Sequence, residues 1–263
     1  MTLTYVQYLL GAASGGLVGL SLGLFGGGGS ILAVPLMVYL VKVPGAHMAI
    51  GTSALAVAAN AAMGLATHAR HGSVRWACAL VFAAAGILGA LAGSSVGKMV
   101  DGGKLLFLFA ILMFAIGVLM LRHRRSDGDP SVTCSRENVP KVGLFGLLSG
   151  AFSGFFGIGG GFLIVPALIA ATGMATLNAI ASSLVAVTAF GATTALNYAA
   201  SGLVDWPLAA VFIAGGLLGS MTGERLARHL STRGHVLRTA FAALVILVSL
   251  YMGVESATRL GLV

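Results

Sequence analysis

Between Lys141 and Asp205 the chain runs for 63 residues without one charged side chain, and no charge precedes Lys42. A water-soluble fold spreads charge over its surface, so few architectures are compatible with this feature. Composition agrees with it. Hydrophobic residues make up 58% of the chain and charged residues 8%, where soluble domains carry about 25% charged residues. The chain is therefore read as an all-α polytopic membrane protein. A soluble enzyme, a disulfide-rich secreted domain and a disordered chain are excluded. The two cysteines, Cys78 in an apolar run and Cys134 in a polar stretch, form no disulfide framework.

Fifteen basic residues against seven acidic ones give a net charge of +8. The basic residues sit in short gaps between apolar runs, where cytoplasmic loops of membrane proteins collect them. The expected partners are thus the lipid bilayer and a small solute, with no nucleic acid.

A bilayer core of about 30 Å takes about 20 helical residues to cross. Ten apolar runs can be marked: Tyr5–Phe25, Ile31–Val41, His47–Thr67, Trp76–Gly97, Leu105–Leu121, Val142–Phe156, Phe162–Thr172, Leu177–Ala200, Trp206–Gly223 and Thr239–Val254. Ile31–Val41 and Phe162–Thr172 are too short to cross as helices. Each follows a glycine cluster and carries a proline at its fifth position, Pro35 and Pro166. Short, Gly/Pro-interrupted apolar runs at matching places in two halves are the best sequence pointer to a transporter's binding site.

The halves match. Leu24–Pro35 aligns with Phe155–Pro166. Further on, Ala49-Ile50, Ser53, Gly72, Trp76, Gly86 and Gly93 fall on Ala179-Ile180, Ser183, Gly202, Trp206, Gly216 and Gly223. Residues 1–121 are read as one membrane repeat and 142–263 as a second, joined by a polar cytoplasmic linker at 122–141. If each half crosses an odd number of times, the gaps His68–Arg75, Arg122–Lys141 and Glu224–Arg238 share one side. Their combined formal charge is then +7 against +1 on the other side. An even count gives only +5 against +3. The positive-inside bias favours two inverted-topology repeats, each with a Gly-rich broken or re-entrant helix.

A helix broken within lipid leaves backbone N–H and C=O groups unpaired, which is tolerated only inside protein or beside a watery cavity. The helix that follows turns its free N–H groups and positive dipole end towards the break. Gly26, Gly27, Gly28, Gly29 and Ser30, with Gly157, Gly159, Gly160 and Gly161, are therefore the expected donors to a small anion. Polar residues in the following runs are the expected selectors: Thr52, Ser53 and Asn60 in one half, Ser182, Ser183 and Asn197 in the other. The competing reading of such glycines is tight helix packing, which accounts for Gly15, Gly19, Gly86 and Gly93.

No Asp, Glu, Lys or Arg lies mid-run, so no buried carboxylate offers proton or sodium coupling; Lys98 and Asp101 at run boundaries read as solvated. His68 and His71 alone do not make a metal site, and no metal or cofactor is expected. Ser14, Ser149 and Ser153 lie in Gly-x-x-Ser-Gly frames that faintly suggest a membrane serine protease. No histidine lies deep enough in a run to serve as their base, so enzymatic activity is not expected.

The segments Gly23–Pro35 (Gly-Leu-Phe-Gly-Gly-Gly-Gly-Ser-Ile-Leu-Ala-Val-Pro) and Ser153–Pro166 (Ser-Gly-Phe-Phe-Gly-Ile-Gly-Gly-Gly-Phe-Leu-Ile-Val-Pro) resemble the TauE/SafE family of sulfite and organosulfonate exporters. Ala49–Ser53, Ala179–Ser183 and the Gly72/Trp76 and Gly202/Trp206 pairs extend the resemblance over nearly the whole chain. It implies a bacterial inner-membrane carrier for small anions such as sulfite, sulfoacetate or related organic acids. The inverted repeats add alternating access, and sulfite or an organosulfonate is the expected substrate. Uptake of a carboxylate or another sulfur compound through the same site, and a passive anion channel, are the alternatives.

Overall fold

The computed structural model describes residues 4–70, 72–122, 138–229 and 234–259. Most of the polar linker expected at 122–141, together with His71 and residues 230–233, lies outside the described residues. Every regular element among those described is a helix. In chain order they are α1 (Tyr5–Phe25), a broken segment, α3 (Ala46–Arg70), α4 (Trp76–Met99), α5 (Gly102–Arg122), α6 (Val139–Phe156), α7 (Gly161–Thr172), α8 (Thr176–Ala199), α9 (Trp206–His229) and α10 (Gly234–Arg259). The broken segment is a 3₁₀ stretch (Gly26–Leu32), a single α-helical turn α2 (Ala33–Pro35) and a π turn (Leu36–Leu40). Eight of the helices are long and apolar enough to cross a membrane.

The two short runs differ in form. Pro35 has no N–H, and its ring crowds the carbonyl four residues back, but Pro166 stands at the same place in the second run, so the proline alone does not account for the 3₁₀ and π turns of the first. Its π turn closes with the Val41 N–H donating to the Leu36 carbonyl at 2.9 Å. The second run is α-helical through Pro166. Its 12 residues reach about 18 Å at 1.5 Å per residue, roughly half a bilayer core.

Glycine sets how the long helices pair. Lipid tails are as apolar as leucine, so helices in a membrane associate through close van der Waals contact at small residues. In α1 and α9 a Cβ on Gly15 would run into the Phe212 carbonyl, on Gly19 into the Gly216 carbonyl, and on Gly223 into the Leu20 carbonyl. The residue numbers rise together, so the two helices run parallel. The same holds for α4 and α6, where Gly150 meets the Gly86 carbonyl, Gly154 the Ala90 carbonyl and Gly97 the Phe155 carbonyl. Each parallel pair joins a helix of one half to a helix of the other.

Two further pairs run antiparallel. Gly51 of α3 abuts Leu203 beyond the end of α8, while Gly191 of α8 meets Ala54 and Ala58, and Gly64 meets Leu184. In α5 and α10, Gly117 abuts Ile246 and Gly253 abuts Ala110. The halves thus interlock rather than standing side by side.

This packing makes a prediction. A methyl group at Gly93 would strike the Ala151 carbonyl, whereas nothing lies within 4 Å of a Cβ at Gly143. Gly93→Ala should destabilise the protein by about 1–3 kcal/mol, the usual range for overpacking, and Gly143→Ala should leave it near wild type. Thermal melts of the detergent-solubilised variants check this. Equal melting of both would contradict the pairing.

Candidate functional site

The loop between α6 and α7 is built from glycines that no other residue replaces without strain. Gly157 caps α6 in the left-handed conformation (φ +67°), with its N–H on the Ser153 carbonyl. Gly159 (φ +68°) and Gly160 (φ +69°) are also left-handed, a region that penalises every L residue with a Cβ. Space is equally restricted. A Cβ on Gly157 would run into Ile50, and one on Gly159 would lie 2.8 Å from Val57 Cγ1 and 3.3 Å from Val187 Cγ1. Val57 and Val187 occupy repeat-equivalent places near the middle of α3 and α8. The loop therefore sits where the two central helices meet.

Its backbone donors are free. The Ile158 N–H reaches the Ser153 carbonyl at 3.3 Å, and the Leu163 and Ile164 N–H groups share the Gly160 carbonyl at 2.9 and 3.0 Å. Between them, the N–H groups of Gly159, Gly160, Gly161 and Phe162 have no acceptor among the described residues, and all four residues are buried. The first N–H groups of a helix have no intrahelical acceptor, and here the two N–H groups before them lack a backbone acceptor as well; a helix start of this kind can receive an anion. The Ser153 hydroxyl, fully buried and without a partner, lies 2.9 Å from where a Cβ on Gly160 would stand.

The first cluster, Gly26 to Ser30, lies in the 3₁₀ stretch, which packs against α1, α7 and α8. The 3₁₀ stretch thus lies against the helix that follows the second glycine cluster. Gly29 and Ser30 are buried, and the Gly29 carbonyl accepts a hydrogen bond from the Ser21 hydroxyl at 3.3 Å.

The expected selectors divide into three groups. Thr52 Oγ1 accepts the Asp205 N–H at 3.0 Å, and Ser182 Oγ accepts the Arg75 N–H at 2.9 Å. Each hydroxyl ties a central helix to the start of α9 or α4, in repeat-equivalent fashion. Ser53 and Ser183 bond back to the carbonyls of Ile50 at 3.0 Å and Ile180 at 2.8 Å. Asn60 is 4% exposed, packs into the notch left by Gly216, and has no partner for either side-chain polar atom. Its equivalent, Phe190, fills the corresponding notch at Gly86.

Asn197 lies near the end of α8, remote in register from the glycine loop. Its Nδ2 donates to Ser94 Oγ at 2.6 Å and Ser95 Oγ at 3.1 Å. Lys98, read from the sequence as solvated, is instead held by the Asn197 carbonyl at 3.0 Å, Asn197 Oδ1 at 2.9 Å and Ser201 Oγ at 2.9 Å. In the sequence Ser153 stands out only as one of three serines in weak protease-like frames and as the first residue of the second family-like segment. Its free hydroxyl depends on the fold of the α6–α7 loop, which residue spacing does not reveal.

A separate cavity of about 880 Å³ opens at the helix ends and is lined by Tyr39, Lys42, His47, Asp101, Glu255 and Arg259 among others. None of the expected site residues lines it. The glycine loop is enclosed, and the cavity stands apart from it.

Comparison with known proteins agrees with the sequence resemblance. The family described as "Sulfite exporter TauE/SafE" matches residues 11–252. A "Probable membrane transporter protein" of Xylella fastidiosa (strain 9a5c) is 51% identical over 95% of this chain and 96% of its own length. YdhB of Bacillus subtilis, a "Probable membrane transporter protein", is 22% identical over 80% of this chain and 86% of its own. A "Probable membrane transporter protein" of Methanocaldococcus jannaschii is 28% identical over 59% of this chain and 58% of its own. No solved structure matches the chain. With eight apolar spans and a family match over nearly its whole length, the chain belongs to the TauE/SafE family and is a multi-pass transporter of the bacterial inner membrane.

Proposed function

We propose that the protein is a secondary carrier of a small oxyanion, sulfite or an organosulfonate, and that the anion rests at the start of α7. The observation that carries this is the row of four buried, acceptor-free N–H groups at Gly159 to Phe162, beside the middles of the two central helices. Neutral donors aligned with a helix dipole hold an anion without the desolvation cost of a buried lysine or arginine. The first glycine cluster forms the facing wall, and Asn60 supplies a further polar group near the centre of α3. Thr52, Ser53, Ser182 and Ser183 flank the site and hold the helices around it.

Alternating access follows from two inverted halves rocking about this point. The antiparallel course of α3 against its equivalent α8, and of α5 against α10, supports inversion. So does the charge distribution. On this reading Arg70, Arg75, Lys141 and Arg225 share one face, the cytoplasmic one. Lys42, Lys98, Asp101, Asp205 and Glu255 then share the other, where the 880 Å³ cavity offers an approach from outside.

Topology is tested with Pro44→Cys and Arg225→Cys, each in a background without Cys78 and Cys134. A membrane-impermeant maleimide applied to intact spheroplasts should label the first and spare the second. Labelling of both, or the opposite pattern, would contradict the inverted arrangement.

Transport itself is tested in proteoliposomes. Labelled sulfite or methanesulfonate should enter with saturation and counterflow. Gly159→Ala, which places a methyl group against Val57 and Val187, should lower the rate about tenfold or more. Transport of a cation, or anion conductance that never saturates, would overturn the carrier assignment.

A further inference from the structure

The two halves differ just before their glycine clusters. The alignment of Leu24–Pro35 with Phe155–Pro166 sets Ser153 opposite Leu22, which has no hydroxyl, and Ser21 is its neighbour one residue earlier. Each serine abuts a matched glycine: a Cβ on Gly29 would lie 2.6 Å from Ser21 Oγ, and one on Gly160 would lie 2.9 Å from Ser153 Oγ. Their hydrogen bonding diverges. Ser21 Oγ donates to its own chain, at 2.9 Å from the Val18 carbonyl and 3.3 Å from the Gly29 carbonyl. Ser153 Oγ is 0% exposed and has no partner.

Helical serines usually return their proton to a carbonyl three or four residues back. Ser53, Ser94, Ser183, Ser220 and Ser249 all do so here. Ser153 forgoes that bond, although Ser149 and Gly150 precede it in the same helix. A buried hydroxyl without a partner is destabilising, and this one stands beside four buried N–H groups that likewise lack acceptors. A buried donor hydroxyl next to a helix start with N–H groups that lack backbone acceptors is a set of groups that an oxyanion would satisfy.

We propose that Ser153 is a substrate-binding residue, and that the carrier holds one anion per chain in an asymmetric site. The Ser153 hydroxyl and the N–H groups of Gly159 to Phe162 donate to its oxygens. The first half contributes no equivalent hydroxyl, because Leu22 stands opposite Ser153 and the neighbouring Ser21 is engaged with backbone carbonyls. The inference rests on the oxyanion-carrier function proposed above and adds to it a specific ligand, a stoichiometry and a difference between the halves.

The test is titration calorimetry of the detergent-solubilised full chain with sulfite and with methanesulfonate, alongside thermal melts without ligand. Wild type should bind one anion per chain. Ser153→Ala should weaken binding about tenfold or more, as loss of a hydrogen bond to a charged group does. Its ligand-free melting temperature should stay at or above that of wild type, since the hydroxyl removed has no partner to lose. Ser21→Ala should show the reverse: a lower melting temperature with affinity within twofold of wild type.

Wild-type binding together with unchanged affinity in Ser153→Ala would overturn the inference and leave the carrier function standing. So would a stoichiometry of two, or equal loss of affinity in both serine variants. Failure of wild type to bind either probe would overturn the carrier function and the inference with it.

Discussion

Backbone-to-backbone contact through glycine is the interaction on which the rest of this structure depends. In lipid no hydrophobic force drives helices together, so pairs such as α1/α9 and α4/α6 form because their glycines let carbonyls approach where a Cβ would stand. Both pairs cross between the halves, and both run parallel. They fix the outer frame so that α3 and α8 meet in the centre. That in turn encloses two segments whose irregular backbone lipid would not tolerate.

Within that frame, polar groups have separate duties. Thr52 and Ser182 accept N–H groups at the starts of α9 and α4, joining the frame to the centre with matched bonds. The cluster of Lys98, Asn197, Ser94, Ser95 and Ser201 satisfies a cation at one end of α4 and α8 with neutral groups. Around the α6–α7 loop four successive buried residues have N–H groups without a backbone acceptor among the described residues. The same loop holds three left-handed glycines, a conformation that glycine adopts without a Cβ penalty.

Much of this was legible in the sequence, because the signals are local. Tyr5–Phe25, Trp76–Gly97 and Phe162–Thr172 predict their helices almost to the residue, since apolar runs ended by glycine, proline or charge have no alternative in a bilayer. The match between the halves is read from prolines and tryptophans that recur 131 and 130 residues apart. Partner choice was not legible. That α1 lies along α9, and parallel to it, is decided by contacts about 200 residues apart in the chain. Nor does spacing reveal that Thr52 and Ser182 face helix ends, that Lys98 is enclosed by Asn197 and Ser201, or that Ser21 bonds its own chain while Ser153 does not. Spacing does not reveal either that the first short run departs from a simple helix while the second, with Pro166 at the matching place, does not.

The central claim is that free donors at the start of α7 hold an oxyanion between the two central helices. Anomalous diffraction from crystals grown with selenite, a heavier analogue of sulfite, tests it most directly. The account predicts a single selenium peak per chain about 3–4 Å from the Gly160 and Gly161 nitrogens and from Ser153 Oγ, the distance set by oxygens in hydrogen-bond contact. A peak in the cavity beside Lys42 and Arg259 alone, or one at each glycine cluster, would contradict it.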